Sequence, residues 1–235
     1  MDLRLFKNIV ILTGAGISAE SGIRTFRDQN GLWEEHRIED VATPEAFAQN
    51  PALVQRFYNL RRAQLKDPNL QPNAAHKALA QLEEIWEGNF LLVTQNVDNL
   101  HRRAGSKNLL HMHGRLDRIF CQFCDEKVDW TEDLLTQHPC PSCGRLGMRP
   151  DIVWFGEMPY HMEEIYAALD KADYFISIGT SGQVYPAAGF VQLAWKAKKI
   201  EINMKDTGIS AAFDSHLVGP ATVEVPRFIQ NFLTN

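Results

Sequence analysis

The sequence predicts an α/β fold, a doubly wound parallel sheet with a small inserted module. Three observations carry this. Short apolar runs alternate with amphipathic helical stretches along most of the chain. Several runs end in small or ligand-type residues, namely Gly14/Gly16, Gln95/Asn96/Asp98, Gly179/Thr180/Ser181 and Asn203. Four cysteines, paired as Cys121/Cys124 and Cys140/Cys143, interrupt the alternation. Strand tips that carry such residues along one edge are where open parallel sheets bind ligands, so the main core is Rossmann-like.

The first element is Asn8-Ile9-Val10-Ile11-Leu12, an apolar run that reads as a buried parallel strand. Gly14 and Gly16 then allow a tight turn and a close approach of backbone N–H groups to a ligand. Ala19 takes the third small position of the G-x-G-x-x-G/A pattern, where a helix meets its strand. Strand, glycine turn and helix start together make an anion site fit for a pyrophosphate. Arg24, Phe26 and Arg27 add cationic and aromatic groups just past the turn. An ordinary dinucleotide fold also places an acidic residue about 20 positions on, at the end of a second strand. Glu34 and Glu35 lie there, yet Gly31-Leu32-Trp33-Glu34-Glu35-His36 has no strand pattern, so a standard dehydrogenase is disfavoured.

A polar helix-and-loop insertion follows, at about residues 28–72. Within it, Asn50 and Pro51 open a helix to about residue 66. Leu53, Phe57 and Leu60 form its expected core face. Val54, Tyr58, Arg61 and Leu65 form an adjoining stripe, with Tyr58 and Arg61 one turn apart. Residues 73–87 read as a helix capped by Asn73, with Ala75, Leu79 and Leu82 inside and Gly88 as its stop. Phe90-Leu91-Leu92-Val93 is a second buried strand ending in Thr94-Gln95-Asn96-Val97-Asp98, and Asp98 also suits the cap of a short helix at 99–103. Residues 108–114 read as one strand with His111 and His113 on a shared face. One of them is the preferred general base, because an unperturbed imidazole titrates near neutral pH.

The pattern C-x2-C-x15-C-x2-C over Cys121, Cys124, Cys140 and Cys143 matches a four-thiolate zinc site. Four sulfur ligands leave no open position, so the metal is expected to be structural. This module spans about 119–146 and divides the sheet domain into 1–118 and 147–235. Beyond it, residues 149–157 return to the core and end in a glycine turn at Gly156. Residues 162–171 read as a helix, 174–178 as a strand, 187–198 as a helix and 199–202 as a strand. Residues 222–225 read as a last strand before a terminal helix from Pro226.

Charge and hydropathy narrow the function classes. With 235 residues and 45% hydrophobic content the chain can bury one large core plus a small appendage. A net charge of −5 with no long basic run disfavours nucleic acid as the main partner. No apolar run approaches the roughly 18 residues of a membrane span, and the first one is too short for a signal peptide. A soluble cytoplasmic protein with reduced thiols is expected.

Taken together, GAGISAESGIRTFR (14–27), TQNVDNLH (94–101), HMHG (111–114), the paired CxxC (121–143), VWFGE (153–157), IGTS (178–181) and Asn203 resemble the sirtuins, NAD-dependent protein lysine deacylases. The short zinc module and the GIRTFR segment look most like the bacterial CobB-type branch; many sirtuins read Pro-Asp where Arg24 and Thr25 stand here. The resemblance implies that Gly14, Ala15, Gly16, Ser18, Arg24, Phe26 and Arg27 hold and cover NAD. It further implies that Gln95, Asn96, Val97 and Asp98 bind the nicotinamide half, and that Gly179, Thr180, Ser181, Asn203, Met204 and Ala221 line the adenosine half. His113, rather than His111, matches the catalytic base, with Asn96 beside it. The implied chemistry is group transfer: the acyl-lysine oxygen displaces nicotinamide, and the products are free lysine, nicotinamide and 2′-O-acyl-ADP-ribose. Tyr58 and Arg61, with Ala42, resemble the branch that removes succinyl and malonyl groups as well as acetyl. The substrate peptide is expected to lie as an added strand between residues 153–157, with Val153, Phe155, Gly156 and Glu157 as its contacts, and residues 182–185. The rivals are ADP-ribose transfer to protein on the same fold and, less favoured, a dehydrogenase.

Overall fold

The structure is a computed structural model and describes residues 7–23 and 36–234. Arg24, Phe26, Arg27, Glu34 and Glu35 lie outside the described residues.

The strands in chain order are β1 (Ile9–Thr13), β2 (Phe90–Thr94), β3 (Leu109–His111), β4 (Gly114–Cys121), β5 (Lys127–Asp129), β6 (Met148–Ile152), β7 (Tyr174–Ile178), β8 (Lys198–Asn203) and β9 (Ser215–Val218). The helices are α1 (Gly16–Ala19), α2 (Ile38–Val41), α3 (Pro44–Gln49), α4 (Pro51–Gln64), α5 (Ala74–Ile85), α6 (Leu100–Ala104), α7 (Met162–Lys171), α8 (Phe190–Leu193) and α9 (Ala221–Thr234). Six strands form one sheet in the order β3-β2-β1-β7-β8-β9, and every neighbouring pair in it is parallel. β4, β5 and β6 form a separate antiparallel sheet in the order β5-β4-β6.

The large sheet is covered on both faces, and β1 shows why its sequence is apolar without alternation. Ile9 and Ile11 pack with residues of α5 and α9. Val10 and Leu12 pack on the other face with residues of α7 and α8. Burying each such side chain contributes roughly 1.5–3 kcal/mol, so a charge at any of these positions would open a layer of the core. Asn73 caps α5 by accepting from the N–H groups of Ala75 and His76, and Ala75, Leu79 and Leu82 are buried as expected.

The chain moves outward from β1 through β2 to β3, then crosses back for β7, β8 and β9 on the opposite side. β1 and β7 therefore flank the topological switch point, where the helices diverge and leave a crevice. The register aligns the tips: Thr13 is level with Thr94 and Ile178, Thr94 with His111, and Ile178 with Ile202.

Several elements differ from the sequence reading. Residues 222–225 are not a strand; they lie inside α9, which contains Pro226. Their β-branched character suggested extension, but Ala221, Val225 and Ile229 recur at helical spacing and pack into the sheet core. The edge strand is instead β9, whose Ser215 and Leu217 alternate with more exposed His216 and Val218, a signal too short to stand out. The expected helix at 187–198 shrinks to a 3-10 turn (Ala187–Gly189) and α8, and Lys198 already belongs to β8. Residues 108–114 do not form one strand: β3 ends at His111, and β4 starts at Gly114 in the other sheet. On α4, Leu60 is 57% exposed, while Phe57 and the Val54/Tyr58/Arg61 stripe are buried. That helix packs beside β4 and β6, and it buries polar groups: Asn59 donates to the Leu134 carbonyl and Arg62 to the Leu116 carbonyl. Ala19 is exposed rather than wedged between helix and strand.

Candidate active site

The glycine turn after β1 is fixed by the loop after β7. Gly14 N–H donates to the Ile178 carbonyl and Gly16 N–H to the Gly179 carbonyl, at 3.0 and 2.9 Å. A Cβ on Gly16 would lie 2.7 Å from Gly179 Cα, and a Cβ on Gly14 would lie 2.8 Å from its carbonyl oxygen. Gly179 itself has φ +62, a left-handed conformation that suits glycine. The glycines thus serve first to press two strand tips together at the switch point.

Side chains extend this contact along the edge. The Asn96 amide donates to the Gly14 carbonyl at 3.1 Å and to Ser18 Oγ at 3.0 Å. Ser18 Oγ donates in turn to Asp98 Oδ2 at 2.9 Å, and Asp98 Oδ1 caps α6 by accepting from Leu100 N–H. Both roles foreseen for Asp98 coexist. Asp98 is buried, which raises its pKa, and the bonds from Leu100 and Ser18 oppose that rise. On the far side, Asn203 donates to the Thr180 carbonyl at 2.6 Å, and Thr180 Oγ1 lies 3.1 Å from Ser177 Oγ. Ser181 and Met204 continue these tips as exposed residues, and Ala221 is buried at the start of α9.

The two histidines are separated by the change of sheet. His113 is partly buried, and its Nδ1 lies 3.1 Å from the Gln95 carbonyl. Gln95 N–H donates to the Thr13 carbonyl, so the imidazole stands next to the mouth of the glycine turn. Burial lowers the pKa of His113, against the opposing pull of the Gln95 carbonyl. His111 is more deeply held, with Nδ1 3.3 Å from the Asn96 carbonyl and a pKa lowered to about 4, chiefly by burial. Below the site, Thr13 Oγ1 bonds Thr94 Oγ1 and lies 3.0 Å from His101 Nε2, whose ring meets His76 edge-on. Neither His76 nor His101 was singled out from sequence, because an isolated histidine inside a helical pattern carries no spacing signal.

A second wall begins at His113, whose carbonyl accepts the Val153 N–H. Phe155 N–H donates to the Ala42 carbonyl. Phe155 and Gly156 are exposed, whereas Trp154 just before them is buried with Ala42, Tyr58 and Phe57, and Val97 packs against that cluster. Arg61 stacks on the Phe57 ring with its Cζ 3.7 Å from the centroid, and Nη1 donates to the Phe57 carbonyl. Glu157 pairs with buried Arg149 through both carboxylate oxygens and accepts the Trp154 N–H. Arg149 was not foreseen as part of the site, and Trp154 was foreseen only as a member of the VWFGE segment, with no role of its own.

The four cysteine sulfurs lie within 4.8 Å of one another, with Cys121–Cys143 at 3.7 Å and Cys124–Cys140 at 3.6 Å. A tetrahedral thiolate site with Zn–S near 2.3 Å has S···S edges of ~3.8 Å, so the donors fit zinc in chemistry and spacing. The cluster joins β4 to the chain before β6 and is backed by Ile119, Leu134 and Met148.

The chain matches the Sir2 family model over residues 14–186. An NAD-dependent protein deacylase of Bdellovibrio bacteriovorus is 83% identical over 234 residues, covering 99% of this chain and all of that protein. One from Salmonella typhimurium is 56% identical over 228 residues, covering 96% of this chain and 84% of that protein. Among solved structures, a Sir2 homologue in complex with NAD superposes with a TM-score of 0.87 at 37% identity, covering all of this chain and 94% of that one. A Sir2 protein bound to a myristoylated histone peptide superposes at 0.72 with 31% identity, over 94% and 89% of the two chains. On the switch-point crevice, the clustered cysteines and these likenesses together, the chain belongs to the Sir2 family.

Proposed function

We propose that this chain is an NAD-dependent protein lysine deacylase. It removes acetyl, succinyl and malonyl groups and gives nicotinamide and 2′-O-acyl-ADP-ribose. The observation that carries this is one hydrogen-bonded edge: His113 to Gln95, Gln95 to Thr13, Asn96 to Gly14, Gly16 to Gly179 and Asn203 to Thr180. Such an edge suits a dinucleotide laid across the strand tips with an imidazole at one end. The relatives named as deacylases and the NAD-bound and peptide-bound Sir2 structures support the same reading.

NAD supplies the electrophilic ribose carbon and its leaving group; the residues of this chain do the rest. Gly14, Ala15, Gly16 and Ser18, with Arg24, Phe26 and Arg27, hold the phosphates and cover the nicotinamide end. Gln95, Asn96 and Val97 grip the nicotinamide ribose, and Asp98, steadied by Ser18, receives the carboxamide. Gly179, Thr180, Ser181, Asn203, Met204 and Ala221 line the adenosine half. His113 acts as general base through Nε2, because its Nδ1 is directed at a carbonyl that can only accept. The peptide adds as a strand along Val153, Phe155, Gly156 and Glu157, where backbone bonds give affinity with little side-chain selectivity. Tyr58 and Arg61 face an acidic acyl group, a phenol and a guanidinium for one carboxylate, and Ala42 leaves room for it. Cys121, Cys124, Cys140 and Cys143 hold one structural zinc. The division into a sheet domain (1–118 and 147–235) and a zinc module (119–146) belongs to the same proposal, as does a cytoplasmic location. Among the described residues no helix is long and apolar enough to cross a membrane.

The test is mass spectrometry of reactions containing NAD and acetyl-, succinyl- or malonyl-lysine peptides. Deacylated peptide and 2′-O-acyl-ADP-ribose in equal amounts are expected. Reduced nicotinamide, or ADP-ribose retained on protein, would replace the proposal with one of its rivals.

A further inference from the structure

Arg149 carries its guanidinium into the protein interior, 4% exposed, and no step of the proposed chemistry uses it. It is the second residue of β6, level with Phe120 on β4 and next to the Met148–Cys121 pair. From there the side chain reaches the segment that follows β6. Nη1 donates to Glu157 Oε1 at 2.7 Å; Nη2 donates to Glu157 Oε2 at 2.9 Å and to the Ile152 carbonyl at 2.8 Å. Cζ lies 3.3 Å from the centroid of the buried Trp154 ring. A planar fork that grips both oxygens of a carboxylate and stacks on an aromatic face fixes its partners in direction, which an ammonium cannot do.

The gripped carboxylate closes a turn. Glu157 Oε2 also accepts the backbone N–H of Trp154 at 2.8 Å, and Glu157 N–H donates to the Trp154 carbonyl at 3.0 Å. Gly156, inside this turn, has φ +90, a conformation open to glycine. Before it, Val153 N–H donates to the His113 carbonyl and Phe155 N–H to the Ala42 carbonyl. Residues 153–157 are thus held by His113, by Ala42 and, through Glu157, by Arg149. The first two holds are backbone to backbone, whereas the third is a pair of side chains and can be altered by substitution.

We propose that Arg149 is a positioning residue for the substrate peptide: by gripping Glu157 it holds residues 153–157 in the shape along which the peptide backbone adds. The inference rests on the reading of that segment as the peptide edge. It deepens that reading, because Arg149 is buried and acts through Glu157 without meeting the substrate. Strand addition draws its affinity from backbone bonds, and an edge that must be ordered at the moment of binding loses part of it. The effect therefore falls on residues flanking the acyl-lysine and spares the acyl-lysine itself and the dinucleotide.

The test compares two substrates in the full-length protein and in Arg149→Lys: a peptide with residues on both sides of acetyl-lysine, and acetyl-lysine blocked at both ends. Lysine keeps a cation beside Glu157 but makes neither the fork nor the stack. The ratio of peptide to blocked-lysine kcat/KM is expected to fall about fivefold to thirtyfold, through the peptide KM, the size of one or two backbone hydrogen bonds. NAD affinity by calorimetry and zinc content are expected to stay unchanged. A role in folding alone would weaken both substrates and NAD together. If Arg149→Lys does not fold, Glu157→Gln loosens the same grip from its more exposed end, where the side chain is 29% exposed, and is expected to give the same fall. The inference fails alone if the unaltered protein prefers the peptide and the folded variant keeps that ratio, loses both substrates equally or loses NAD affinity. It fails also if neither variant folds, since Arg149 then serves the fold. If the unaltered protein favours the peptide no more than blocked acetyl-lysine, the peptide-edge reading falls and takes the inference with it.

Discussion

The Nδ1 atom of His113 lies 3.1 Å from the carbonyl oxygen of Gln95. That contact fixes the neutral tautomer, because a carbonyl can only accept, and it leaves Nε2 as the proton acceptor. Burial lowers the His113 pKa, so the base form is present throughout the neutral range. The acid limb of the kcat/KM profile should therefore lie below the ordinary value near 6.5. His113→Ala should lose roughly 10²–10⁴-fold in turnover while keeping fold and NAD binding. Near-normal rates in that variant, or a limb above 6.5, would remove His113 from its role.

Gly179 tests the claim that glycines press the strand tips together. A Cβ there would lie 2.5 Å from Ile17 N, at φ +62. Left-handed backbone costs an ordinary residue about 1–2 kcal/mol before any clash, so Gly179→Ala should lower Tm by several degrees and weaken NAD binding. Gly208 meets nothing within 4 Å and has no positive φ, so Gly208→Ala should be close to neutral. Equal thermal shifts in the two variants would contradict the packing argument.

The zinc cluster should govern the peptide side more than the dinucleotide side. Cys140 and Cys121 are buried with Ile119, Leu134 and Met148, and the sheet they close carries Gly114 and Ile152, the neighbours of His113 and Val153. Chelation, or Cys140→Ala, should lower Tm and raise the peptide KM more than the NAD KM. Metal release with no change in melting or peptide KM would show that the cysteines bear no structural load.

Acid should destabilise the protein through histidines buried in the neutral form. His76 and His111 are lowered to about 4 by burial, and His101 is lowered well below its ordinary value. Between pH 4 and an unfolded value near 6.5, the unfolded chain binds more protons than the native one, so stability rises with pH. It is fully present above about 6.5 and falls below it, by up to about 1.4 kcal/mol per pH unit for each group. Urea unfolding at pH 7 and pH 5 should show this loss, and His76→Gln should reduce the slope. A flat profile across that window would mean that these imidazoles carry protons in the folded state.

Much of this was legible because it rests on local rules. β1, β2, β7, α5 and α7 follow from apolar runs, the Asn73 cap and periodicity, and four cysteines at metal-ligand spacing need no tertiary knowledge. What was hidden depends on partners distant in sequence. Arg62 and Asn59 are buried because carbonyls of Leu116 and Leu134 await them, so the polar face of α4 does not face water. The helix at 222–225 was masked by valines whose packing partners lie in α5 and the sheet. Arg149, an ordinary surface cation by composition, is buried because Glu157 and the Trp154 ring receive it.

Tyr58 and Arg61 carry the last prediction, since acyl preference is the part of the function that depends on the fewest residues. Both are buried on one stretch of α4, and Arg61 lowers the phenol's pKa through its charge while burial raises it more strongly. A phenol and a guanidinium directed at one carboxylate make charge-assisted bonds of about 1.5–3 kcal/mol each. Two such bonds in a dry pocket correspond to roughly 10²–10³-fold in kcat/KM. Tyr58→Phe combined with Arg61→Met should remove most of that from desuccinylation and demalonylation and leave deacetylation far less affected. Parallel assays on acetyl-, succinyl- and malonyl-lysine peptides decide it. Equal losses on all three would reduce the pair to helix packing, consistent with Arg61 stacking on Phe57 and bonding its carbonyl.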